Sequence, residues 1–200
     1  MAHDLILLSP LLLVAATAFF VLVLDLLHRG GSRDYLGLIS TAGFAVSGIC
    51  AFILWKDGSQ PAMPYFASMI RLDSYALFFT ELILASGAMI PLMSIRHNRE
   101  QGIDFGEYYV LLAFSVLGMV VMATSVNLIA MFLGLEIMSL SIYVLCGIKR
   151  SSHFAAEAAM KYFILGAFAS AFFLFGAAFL YGIAGSLNFY DIKAFFAGNP

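Results

Sequence analysis

Residues 107–148 form a run of 42 residues that is almost unbroken in apolar character. As one straight helix this run would be about 63 Å long, twice the hydrocarbon core of a bilayer of roughly 30 Å. It must therefore fold back on itself. Its only polar cluster is Thr124-Ser125-Val126-Asn127, which predicts a tight hairpin there. The helices on either side are then expected over about 107–123 and 128–148.

Other apolar blocks run over 5–27, 35–55, 74–95 and 154–183. The chain is 62% hydrophobic and 11% charged, less than half the charge of an average soluble domain, about 25%. Soluble cores do not need apolar blocks longer than about 18 residues, but bilayers do. The expected fold class is all-α: a polytopic transmembrane bundle of about six spanning helices. Residues 1–106 hold three helices and their loops, 107–186 three more, and 187–200 an amphipathic tail. In that tail Asp191 and Lys193 stand among Phe189, Tyr190, Phe195 and Phe196, a composition suited to the membrane interface. The sixth block exceeds what a bilayer requires, so it should tilt or project. Gly37, Ser40, Gly43, Ser47 and Gly48 give the second block a small face for close helix approach. Trp55 closes that block, where aromatic rings favour the interface. The polar interval 56–73 holds Pro61 and Pro64 and reads as a loop, with a short interfacial segment over 65–70.

The net charge is -2, and no basic run offers a nucleic-acid partner. No Cys/His spacing resembles a metal site, and Cys50 and Cys146 lie in apolar blocks as small hydrophobes. The first block lacks a preceding positive residue and is too long for a signal-peptide core. Arg29, Arg33, Arg96, Arg99, Lys149 and Arg150 fall in the first, third and fifth loops. Lys56, Arg71 and Lys193 fall on the other side. The positive-inside rule then places the N-terminus outside.

Charged residues inside such blocks are costly, on the order of 2.5–3.5 kcal/mol each by insertion scales. Glu136 sits in the middle of the fifth helix and is too short to snorkel. Ser139 and Tyr143, at i+3 and i+7, share its face and offer hydroxyls. Two readings stand for Glu136: a hydrogen-bonded structural carboxyl, or a titrating group on an ion path. Burial favours the neutral form and a nearby cation the charged form, and a proton carrier needs the two in near balance. Lys161 lies about two turns inside the sixth helix, with Glu157 at i−4 in the order that favours a helical ion pair. It either pairs locally and snorkels, or points inward toward Glu136, about 9 Å away in depth. Ala159, Gly166, Ser170 and Ala177 form a small face on that helix. Glu81, near the middle of the third helix, has no evident partner and is a weaker candidate. Asp25 is one turn from His28 and Arg29 and belongs to the interface.

The motif Gly134-Leu135-Glu136-Ile137-Met138-Ser139-Leu140, with Tyr143 following, resembles the fifth helix of the antiporter-like membrane subunits of respiratory complex I. The run from Glu157 through Lys161-Tyr162-Phe163-Ile164-Leu165-Gly166 resembles their sixth. Both are most similar to the N-type branch of NADH–quinone oxidoreductase, since the L- and M-type relatives typically carry Trp before the glutamate. The resemblance implies proton translocation along buried carboxylates and lysines, driven by quinone reduction elsewhere in the complex. Glu136 takes the family's fifth-helix glutamate position, Lys161 that of a sixth-helix lysine, and Glu157 that of the acidic residue before it. It implies a translocase subunit of a bacterial inner-membrane enzyme, with other complex I membrane subunits as partners. It implies no cofactor in this chain, with quinone, NADH, FMN and iron–sulfur clusters in other subunits.

Two departures stand out. Ser141 occupies a position where the family often has proline, so a kink in the fifth helix is not implied. Family members run to about fourteen helices with an inverted five-helix repeat, whose first copy starts at the fourth helix here. The chain ends after the sixth, before the broken seventh helix with its lysine, and so reads as an N-terminal portion. A related cation/proton antiporter or membrane-hydrogenase subunit, or a bundle without transport, are the alternatives.

Overall fold

The computed structural model describes residues 8–27, 30, 32–57, 68–103 and 105–198. Among the described residues seven helices follow in order: α1 Ser9–Leu27, α2 Asp34–Asp57, α3 Ser74–Gln101, α4 Glu107–Thr124, α5 Leu128–Cys146, α6 His153–Ala184 and α7 Phe189–Gly198. The first six are long and apolar enough to cross a membrane. Of the short segment expected over 65–70, residues 65–67 lie outside the described residues, and 68–70 form a turn rather than a helix.

Helix ends coincide with capping chemistry. Asp73 accepts from Ala76 N at 2.9 Å to start α3, and Asn127 accepts from Ile129 N at 2.8 Å to start α5. Ser152 does the same for α6 with Ala155 N at 3.3 Å. These caps satisfy N–H groups that the first helical turn leaves open. Gly185, at φ 69°, closes α6 by donating to Tyr181 O at 2.8 Å. The polar cluster inside the 42-residue run thus becomes the α4–α5 hairpin, because Asn127 offers a cap where the apolar run must reverse.

α4 is the most buried span and α6 the least. Val116 and Val120 of α4 pack with Val14 and Ala18 of α1, Phe44 of α2 and Leu84 of α3. α5 lies along α4, α6 packs on α5, and α7 packs on α6. The small face of α2 serves close approach. A Cβ on Gly43 would meet Thr17 Oγ1 at 2.3 Å, and Ser47 donates to Pro10 O at 2.7 Å.

The two ends of the bundle differ in chemistry. At one end, Asp25 pairs with Arg33 at 3.2 Å, Asp34 accepts from Arg99, and Lys149 donates to Gln101 at 3.4 Å. These contacts gather the first, third and fifth loops. At the other end, backbone bonds tie three segments together: Val126 N to Met69 O at 2.8 Å, and Leu128 N to Leu187 O at 3.0 Å. Asn188 Nδ2 adds a bond to Ser68 O at 2.7 Å.

α7 is anchored to this second end through Arg71. Its guanidinium donates to the Tyr190 hydroxyl and lies 5.5 Å from the ring centroid. That hydrogen bond is the main cause holding Arg71 above its ordinary proton affinity; burial opposes it. A raised cationic group stabilises below its unfolded-state value and loses that contribution only as pH rises through the folded one. Both lie far above neutral pH, so the anchor is constant across the physiological range. Tyr190→Phe keeps the ring and removes the acceptor, and Tyr190→Leu removes both. Hydrogen exchange in α7 should rise in that order and should not vary between pH 6 and pH 8 beyond intrinsic exchange chemistry.

Candidate functional site

Glu136 is the ninth residue of the 19-residue α5 and lies near mid-depth of the bundle. It faces α6, where Ser170 donates its hydroxyl to Glu136 Oε1. The donors expected from its own helix act otherwise. Ser139 donates to the Leu135 carbonyl at 2.7 Å. Tyr143 packs edge-on against Tyr162 with centroids 4.8 Å apart and against Phe163 at 6.0 Å. A helical serine has a local acceptor one turn back, and that bond competes with any tertiary one. Ser170 was visible in the sequence only as part of the small face of α6.

The α5–α6 seam is antiparallel and in consistent register. Phe132 stacks on Phe173 at 5.8 Å, Glu136 meets Ser170, and Tyr143 meets Phe163. The Tyr143 hydroxyl occupies the space beside Gly166, where a Cβ would lie 1.7 Å from it. Gly166→Ala should therefore push the ring out or part the helices, lowering the thermal midpoint of the purified protein. Overpacking of this kind costs about 1–3 kcal/mol. Adding Tyr143→Phe should recover part of the loss, because it removes the nearest atom, and a double-mutant cycle measures the coupling.

Lys161 and Glu157 form an ion pair of 2.5 Å on the outer surface of α6, with side chains 70% and 44% exposed. In the seam register Lys161 is level with the end of α5. It stands nine residues along α6 from Ser170, about 13 Å in rise. That separation exceeds the 9 Å or so expected from helix lengths alone, because α6 begins beyond the end of α5. The structure brings Glu136 and Ser170 together; it places Glu157 and Lys161 together but apart from Glu136. Ser141 donates to Ile137 O at 2.8 Å within a continuous α5.

Glu81 lines a groove of about 370 Å³ between α2 and α3, beside Phe44, Gly48 and Ala85. Its Oε1 is buried without a hydrogen-bond partner among the described residues. Asp25 ends α1 in the Arg33 pair, as an interfacial residue does. Cys50 is half-buried, and Cys146 is exposed at the end of α5. The described residues contain no group of three metal-type ligands.

Six apolar spans with a carboxyl held near mid-depth by a neighbouring helix make a polytopic membrane helix bundle with a polar contact inside it. Residues 125–199 match the family described as NADH:quinone oxidoreductase/Mrp antiporter, transmembrane region. The chain is 38% identical over 195 residues to NADH-quinone oxidoreductase subunit N of Chloroflexus aggregans, covering 97% of this chain and 39% of that protein. It superposes on a chain of respiratory complex I from Thermus thermophilus with bound aureothin at TM-score 0.72 and 29% identity, covering 90% of this chain and 38% of that one. An archaeal membrane-bound sulfane sulfur reductase shares the fold at TM-score 0.74 and 22% identity, with 91% and 38% covered. Over nearly its whole length the chain is homologous to the antiporter-like membrane subunits of NADH–quinone oxidoreductase, and its named relatives are of the N type. It spans about two fifths of their length.

Proposed function

We propose that this chain is part of a proton-translocating membrane subunit of respiratory NADH–quinone oxidoreductase. Glu136 takes up and releases protons at mid-depth, coupled to quinone reduction in other subunits. The observation that carries this reading is the carboxyl of Glu136, set near the centre of α5 with a hydroxyl donor from the facing helix. A chain retains such a group in the bilayer when it pairs, meets water or moves charge.

Residues 107–186 form the start of the translocating repeat. Lys161 and Glu157 lie on the open face of α6, where the remaining helices of a full-length relative would pack. Once covered, that pair supplies a movable charge whose separation from Glu157 biases the carboxyl. Glu81 is a secondary candidate on the α2–α3 face. The subunit lies in a bacterial inner membrane with its N-terminus outside and assembles with the other membrane subunits of complex I. NADH, FMN, iron–sulfur clusters and quinone belong to those partners, and this chain performs no redox step itself.

NADH-driven proton uptake by vesicles carrying Glu136→Gln in the full-length subunit tests the reading. Uptake at wild-type stoichiometry would remove Glu136 from the path. A related cation/proton antiporter subunit is the second reading, favoured by a family description that covers both kinds. Respiratory genes beside this one support the first, and antiporter genes the second.

A further inference from the structure

We propose that Ser170 is the positioning residue of Glu136: its hydroxyl fixes one carboxyl oxygen, so that protons enter and leave at the other. The inference rests on the reading of Glu136 as a proton carrier. It starts from a difference among hydroxyls. Ser40, Ser94, Ser139 and Ser141 all donate to the carbonyl four residues before them. Ser170 is turned across the seam and donates to Glu136 Oε1. The Glu136 carboxyl on the facing helix thus takes the place of the local carbonyl acceptor.

The seam is built to hold this contact. Gly166 lies one turn before Ser170 on the same face of α6, and its missing side chain admits the Tyr143 hydroxyl. The helices therefore meet closely one turn from the carboxyl. Further along, Gly147 lies against Ala159, with a Cβ on Gly147 at 3.0 Å from the alanine methyl. On the other side, Phe132 stacks on Phe173. The rotation of α6 that aims Ser170 at Glu136 is thus set from both directions along the seam. In the proton step Ser170 keeps its own hydrogen throughout. An arriving proton bonds to Oε2 and neutralises the carboxylate, and the same O–H bond breaks on release.

The test uses the full-length subunit assembled in its complex, in inverted membrane vesicles. Valine and threonine have the same shape, and only threonine keeps the hydroxyl. Ser170→Thr should rescue both readouts. Ser170→Val should lower protons moved per NADH by about tenfold, the scale of a lost bond to a charged group. Infrared difference spectra supply the second readout. The carboxyl band that disappears in Glu136→Gln should move in Ser170→Val and stay in place in Ser170→Thr. If the valine variant does not assemble, Ser170→Ala removes the same hydroxyl without added volume. Wild-type pumping in the valine or alanine variant, alongside a dead Glu136→Gln, overturns the role of Ser170 and leaves Glu136 as the carrier. A carboxyl band unmoved by loss of the hydroxyl overturns it whatever the pumping result. Normal pumping by Glu136→Gln overturns the carrier reading itself.

Discussion

Glu136→Gln in the full-length subunit is expected to stop most proton pumping while the complex still assembles and oxidises NADH. Glutamine matches glutamate in length and volume. Its amide oxygen can accept the hydrogen bond that Ser170 donates to Glu136 Oε1, so the α5–α6 seam should keep its register. What glutamine lacks is an ionisable proton. A positioned proton-transfer group typically contributes a hundredfold or more, so a loss of at least about tenfold in coupled pumping is the conservative expectation. Glu136→Asp separates position from chemistry. It retains the carboxyl but withdraws it by one methylene, about 1.5 Å, beyond the reach of Ser170. Aspartate should therefore pump at an intermediate rate. The measurement is a pH-gradient signal per NADH oxidised, compared across variants with equal amounts of assembled complex.

The largest structural effect should come from Gly118 in the α4–α5 hairpin. A Cβ there would lie 2.5 Å from Met138 N and 2.6 Å from Gly134 O. From the facing helix, a Cβ on Gly134 would meet Met122 N at 2.7 Å and Gly118 O at 2.8 Å. These are contacts between backbones, so no side-chain rotation can relieve them. Gly118→Leu must drive α4 and α5 apart, at a cost of about 3 kcal/mol or more. The membrane level of folded subunit and its thermal midpoint in detergent should both fall sharply. Gly48→Ala is the matched control, because its Cβ would sit 3.6 Å from Glu81 and 3.8 Å from Leu84, in ordinary contact. A Gly118→Leu protein as stable as that control would show that the two helices do not meet through their glycines.

Much of the architecture was legible in the order of residues. Crossing a bilayer needs a long apolar helix whose backbone bonds are satisfied internally, and both properties are local to a segment. The spans were therefore readable from apolar length, and the α4–α5 reversal from one polar cluster. The mid-helix depth of Glu136 followed from its place in the run.

What the residue order left open concerns rotation and register. Ser139 and Tyr143 stand on the same helical face as Glu136, yet neither is its donor. Ser139 has a nearer acceptor in its own helix, and Tyr143 fills the space left by Gly166. Lys161 could have pointed inward on helix length alone, but α6 starts beyond α5 and carries it outward beside Glu157. The sequence by itself determined how many times the chain crosses and how deep its carboxylates lie, because transfer into lipid acts on each segment separately. Only the tertiary structure decided that Ser170 is the group that meets Glu136. Which faces of two helices touch depends on contacts between residues far apart in the chain, and here glycines on both sides of the seams set them.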